Sequence, residues 1–160
     1  MQLLEGRATI DDVDAFIAQL GEIESEYETT VQAFDARYVV DRAHLERALA
    51  LADRAIERGA NVARERGVEI LLYAAGRRQI DQALELGVSE GETEIVVLVD
   101  GDERAVEPVR SMLEPAATLG AYDESRVRSY FEISDAEIAA TDATLSDLVR
   151  ERVALLDVEK

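Results

Sequence analysis

The chain has no cysteine, and its one histidine is His44. Without cysteine there is no disulfide framework, no thiol nucleophile and no cysteine metal site. A lone histidine excludes a cluster of imidazole ligands, and its isolation argues against a Ser-His-Asp arrangement. No apolar run approaches the roughly 20 residues that a membrane-spanning helix needs. No basic stretch followed by an apolar segment opens the sequence. The expectation is a cytoplasmic protein that does not span a membrane. Basic residues are scarce as well: 17 Lys and Arg face 35 Asp and Glu, for a net charge of −18, and the single lysine is the final residue, Lys160.

Such acidity can accompany disorder, but 48% hydrophobic content and clear periodicity oppose that. At 160 residues the chain is read as one domain, 1–160, large enough for a real core. The acidity is read as a surface adapted to high salt, where screening relieves the repulsion between carboxylates. The charge is unevenly spread. Between Arg37 and Ile80, nine arginines stand against six acids. That basic island suggests a face that meets an anion such as nucleic acid. The competing reading is that helix pairs such as Arg42 with Glu46 absorb the charge, less easily for Arg64, Arg66, Arg77 and Arg78.

The organising stretch is Glu69 to Gly87. Ile70-Leu71-Leu72-Tyr73 is an apolar run short enough for a buried strand. Ala75 and Gly76 interrupt it. Ile80, Ala83 and Leu84 then recur at helical spacing, with Gly87 at the expected end. The reading is strand, turn and helix, with Arg77 and Arg78 at the helix start. A helix N-terminus disfavours cations by about 0.3–1 kcal/mol but offers free N–H groups to anions. Either an anionic ligand docks there or both arginines point into solvent.

Before it, Gln2–Ala8 reads as a strand, and Thr9 as the cap of a helix with Ile10, Val13, Phe16, Ile17 and Leu20 on one face. Thr29–Phe34 reads as a second strand. Asp41 caps a helix over 42–58, with His44 in its first turn as a packing or hydrogen-bonding residue. Asn61–Arg66 reads as a short helical turn ended by Gly67. After the organising stretch, Glu94–Val99 is a second wholly apolar strand, so 69–99 is read as a βαβ crossover. Asp100-Gly101-Asp102 is a turn without the oxygen pattern of a calcium loop. Helices are expected over 103–113, 125–131 and 135–140, the last capped by Ser134. A final helix capped by Thr141 or Asp142 carries Leu145, Leu148, Val149, Val153, Leu155 and Leu156. It either docks in the core or offers a stripe to a partner, for which Leu145, Leu148, Val149 and Arg152 are the candidates. The fold expected is α/β (or α+β): a mixed sheet of about four strands covered by helices. No cofactor or metal is expected.

His44-Leu45, Ala48, Ala52 and Asn61, then Glu69-Ile-Leu-Leu-Tyr-Ala-Ala-Gly-Arg-Arg-Gln-Ile80 with Ala83 and Gly87, resemble the small KEOPS-complex subunit family that binds the complex's kinase-like ATPase subunit. The resemblance is strongest over Val31–Val88, and the order of elements agrees across the rest. It implies a non-catalytic accessory subunit of the machinery that places threonylcarbamoyl on adenosine 37 of tRNA. It further implies docking on the kinase-like subunit and, in archaea, capture of the single-stranded 3′ CCA end. By position, RNA contact is carried onto Gly76, Arg77, Arg78 and Gln79, with Asn61, Arg64 and His44 after them. The acidic surface and lack of lysine depart from a plainly basic relative.

At about 1 M salt screening acts over about 3 Å, so recognition there leans on short contacts. Unstacked bases on aromatic or guanidinium planes gain about 1–3 kcal/mol each. Arg77, Arg78 and the Gln79 amide suit that style, and Tyr38 or Tyr73 could stack. Two other readings stand beside it: a structural adaptor without RNA binding, and a small enzyme or anion sensor at the Gly76 turn. The last lacks recognisable acid–base chemistry.

Overall fold

The computed structural model describes residues 1–159. The strands are β1 (Gln2–Ile10), β2 (Thr30–Asp35), β3 (Gly91–Asp100) and β4 (Glu114–Pro115). The helices are α1 (Val13–Tyr27), α2 (Arg42–Glu57), α3 (Arg66–Ala75), α4 (Ile80–Ala83), α5 (Val106–Arg110), α6 (Glu124–Tyr130), α7 (Asp135–Ala140) and α8 (Leu145–Glu159). Short 3-10 turns follow β2 and α4 and precede α5.

The fold is α+β, one four-stranded sheet in the order β2-β3-β1-β4. Every pairing in it is antiparallel. The mixed sheet and the βαβ crossover expected over 69–99 are therefore not present. The reason lies in burial. Ile95, Val97 and Val99 face a core layer with α1 and α5, while Val96 and Leu98 face the layer with α2, α3 and α8. A strand covered on both faces reads as continuously apolar whichever way its neighbours run.

The run at 69–73 misleads for a related reason. It belongs to α3, in which all of Glu69–Ala75 is buried. A helix wedged between the sheet, α2 and α8 has no polar face, so its segment cannot be told from a buried strand by periodicity. Gly67 lies inside this helix, where an added Cβ would come 3.0 Å from the Gln32 side chain. It marks close packing on β2, not a stop. Before it, 62–65 form bends without a helical turn. Glu69 holds them, accepting from the Val62 and Ala63 N–H groups at 3.0 and 2.9 Å.

Several caps move. β1 continues through Thr9 and Ile10, paired with Glu92 and Gly91, so Asp12 caps α1 by accepting from the Ala15 N–H. Asp41 caps α2 as expected, through the His44 N–H at 2.9 Å, and Ser134 caps α7. α8 is capped by Thr144 in place of Thr141 or Asp142: Thr144 and Asp147 exchange reciprocal bonds in a capping box. The helix expected over 103–113 shrinks to a 3-10 turn and α5, and Pro115 sits in β4 opposite Gly6.

Candidate functional site

The Gly76–Gln79 turn connects α3 to α4. Gly76 adopts φ 62° and closes α3 with the full Schellman pair: its own N–H reaches the Tyr73 carbonyl at 3.0 Å, and the Arg77 N–H reaches Leu72 at 3.1 Å. A Cβ here would lie 3.2 Å from the Arg152 carbonyl oxygen. Glycine thus permits both the turn and the close approach of α8. The arginines follow a helix C-terminus, not a strand, so they lie where cations are favoured.

A cleft of about 450 Å³ opens beside the turn. Gly76, Arg77, Arg78 and Gln79 line it, with Gln82 from α4, Tyr130 and Glu132 at the end of α6, and Arg152 of α8. Arg77 lies over the Tyr130 ring, its Cζ 4.6 Å from the centroid, and donates to the Tyr130 carbonyl. Arg152 donates to the Phe131 and Glu132 carbonyls at 3.0 and 3.1 Å and to the Glu137 carboxylate at 2.7 Å. Two arginines thereby satisfy the orphan carbonyls at the end of α6. Tyr130 donates its hydroxyl to the Gln82 carbonyl at 2.8 Å, and burial pushes its pKa up to about 12. Arg78 and Gln79 are exposed, and the Gln79 amide oxygen accepts from Gln82 at 3.1 Å.

The other expected contacts fall elsewhere. His44 is fully buried. Its Nδ1 accepts from the Val40 N–H at 3.3 Å, and its Nε2 sits 2.8 Å from the Ala74 carbonyl. It therefore supports the end of α3 from inside and cannot touch RNA. Asn61 bonds the Ala63 carbonyl, and Arg64 is exposed; neither lines the cleft. Of the partner candidates, Leu148 and Val149 are core residues at 3% and 0% exposure. They pack in the layer beneath α8 and present nothing outward. Leu145 is partly buried against the same core. Tyr73 is core, its hydroxyl bonded to Asp157, and Tyr38 is buried against Tyr130.

The basic island is largely neutralised internally. Arg66 forms a bidentate pair with Asp53 at 2.7 and 2.9 Å and reaches Asp100 at 2.7 Å. Its pKa is raised, first by the Asp53 bond. Arg58 and Arg54 pair with Asp157. Arg47 and Arg64 are exposed away from the cleft, on which Arg77, Arg78 and Arg152 converge. Sequence reasoning found the turn but missed Gln82, three residues on from Gln79, and Tyr130 and Glu132, which no local spacing connects to it.

Fold and cleft together define a small single-sheet binding module. A family model described as kinase binding protein CGI-121 matches residues 9–157, and the chain belongs to that family. No curated protein matches it. Among the described residues, no helix is long and apolar enough to cross a membrane.

Proposed function

We propose that the chain is the non-catalytic accessory subunit of a KEOPS complex, which docks on the kinase-like ATPase subunit and holds the 3′ CCA end of tRNA in the arginine cleft. The family's description as a kinase-binding protein supports the docking half. The observation that carries the RNA half is the convergence of Arg77, Arg78 and Arg152 with two glutamines in one cleft of a chain that is otherwise strongly acidic. Tyr130 supports Arg77 from below, so the guanidinium offers its open face to an unstacked base. Arg78 supplies a phosphate partner, and the Gln79 and Gln82 amides suit base edges. Such contacts are short-ranged and survive the molar salt to which the acidic surface is adapted.

The purified chain should bind intact tRNA better than tRNA trimmed of its CCA end at molar salt, and Arg78→Glu should abolish the difference. Equal binding of both tRNAs would sink the RNA half. One observation favours the adaptor alternative: Arg77 and Arg152 are already bonded to protein carbonyls. Under that reading the chain forms a stable heterodimer with the kinase-like subunit and binds no RNA.

A further inference from the structure

A groove of about 310 Å³ runs along the outer edge of β2 and shares no lining residue with the arginine cleft. Val31, Gln32 and Ala33 form its floor, with Ile17 of α1, Leu71 of α3 and Leu84 among its walls. Among the described residues β2 is the outermost strand and pairs only with β3. In an antiparallel ladder, alternate residues turn both backbone polar groups away from the neighbour. Val31 and Ala33 are those residues here. The Val31 N–H donates outward to Glu24 Oε2 at 3.1 Å, and the Ala33 carbonyl accepts from Gln32 Nε2 at 3.1 Å. Side chains thus stand where the backbone of another strand would bond.

The rim is apolar and exposed: Ile17 and Leu84 are 50% and 54% accessible. The charge is of one sign. Asp14, Glu24 and Glu65 line the groove, and among the described residues no arginine or lysine does. Burial pushes the Glu24 carboxyl up in pKa, the Val31 N–H opposes this, and Glu65 adds to the rise. A cation arriving in the groove relieves that cost. A second copy of this acidic groove, on a chain of net charge −18, makes it worse.

We propose that the β2 edge is a docking site for an extended polypeptide segment in which apolar residues alternate with lysine or arginine. The incoming backbone carbonyl replaces Glu24 at the Val31 N–H, and the incoming N–H replaces Gln32 at the Ala33 carbonyl. Apolar side chains enter between Ile17 and Leu84. Glu24, released from the strand, pairs with the basic side chain. The side-chain caps keep the edge from pairing indiscriminately in the free protein, and the groove's walls select for the alternating pattern.

The test uses the full chain and an end-blocked eight-residue peptide of alternating valine and lysine. Fluorescence anisotropy reads affinity, and backbone amide NMR shifts read the place. The largest shifts should fall on Val31 to Ala33. A peptide of the same composition in two blocks should bind about tenfold more weakly, as should the Ile17→Ser/Leu84→Ser variant with the alternating peptide. Both positions are half exposed, so that variant should keep its fold, checked by circular dichroism. Glu24→Gln should weaken binding severalfold. No binding, equal binding of the two peptides, or shifts centred elsewhere would overturn the proposal. So would a concentration-dependent dimer that Ile17→Ser/Leu84→Ser abolishes, because the occupant would then be a second copy.

Discussion

The Arg77 guanidinium carbon lies over the ring of Tyr130, 4.6 Å from its centroid, and the side chain bonds the backbone carbonyl of the same residue. One side chain therefore both faces the cleft and closes the end of α6. The cation–π contact is worth about 0.5–2 kcal/mol and the hydrogen bond about 0.5–1.5 kcal/mol. Arg77→Ala should cost about 1–2 kcal/mol in urea unfolding. Arg77→Lys should restore less than half, because an ammonium cannot stack and donate in the same plane. The same change has a second readout. Burial holds the Tyr130 pKa up at about 12, and Arg77 pulls it down. Ultraviolet titration should move further up in the alanine variant. Because the folded pKa exceeds the unfolded value of about 10, Tyr130 supports stability fully below that pH and progressively less as pH rises towards the folded value.

Gly76 should tolerate a side chain less well than Gly59. Its φ of 62° is a left-handed conformation, and a side chain there would crowd the Arg152 carbonyl at 3.2 Å. Gly59 has a similar φ, 67°, but open space around it. The left-handed backbone alone costs a non-glycine residue about 1–2 kcal/mol. Gly59→Ala should show that cost. Gly76→Ala should exceed it and also loosen α8, seen as faster amide exchange around Arg152. Equal unfolding midpoints for the two variants would contradict the packing argument.

The turn at 76–79 was legible because Gly-Arg-Arg-Gln interrupts an apolar stretch, and polar residues in such a place need a reason. α2 was legible because Asp41, an apolar face and Gly59 agree on its limits. α3 was not, because total burial erases the polar face that makes a helix readable. Tyr130 was not legible either. It lies far from the turn in sequence, and only the packing of α6 brings it beneath Arg77. Arg152 was read as a candidate partner contact on the final helix, but its direction depends on how α8 docks. That docking turns it to the cleft while Leu148 and Val149 go inward.

His44 should make the fold acid-sensitive. The Val40 N–H can only donate, so Nδ1 is the acceptor and Nε2 carries the proton given to Ala74. Burial is the largest influence and holds the pKa below its ordinary value, against the opposing pull of the Ala74 carbonyl and Asp41. A second proton would land on Nδ1, facing the Val40 N–H. With the folded pKa lower than the unfolded value of about 6.5, the unfolded chain takes up the proton first. The contribution is complete above that value and shrinks as pH falls below it. Denaturant midpoints measured from neutral pH downward should drop more steeply for the native chain than for His44→Gln. Parallel slopes would show that His44 does not titrate as its contacts require.

Arg66 opens α3, where its positive charge faces the unfavourable end of the helix dipole. Three contacts offset this. Asp53 of α2 takes it bidentately, Asp100 at the end of β3 lies 2.7 Å away, and Thr30 of β2 accepts at 3.1 Å. One guanidinium thus joins α2, α3 and two strands. Burial opposes ionisation of Asp100, but Arg66 and the Met1 amino group more than compensate, and its pKa lies below the ordinary value. That contribution is present above the unfolded pKa of about 3.9 and is lost as pH falls through the folded one. Arg66→Met leaves two carboxylates facing each other and should cost about 1–3 kcal/mol at low salt, the partial exposure keeping it below a fully buried pair. The penalty should shrink in molar potassium chloride, because screening relieves the repulsion that remains in the variant. Adding Asp53→Asn and Asp100→Asn to Arg66→Met should recover part of it at low salt and little at high salt. A penalty independent of salt would mean that Arg66 acts through the packing of its alkyl stem and not through charge.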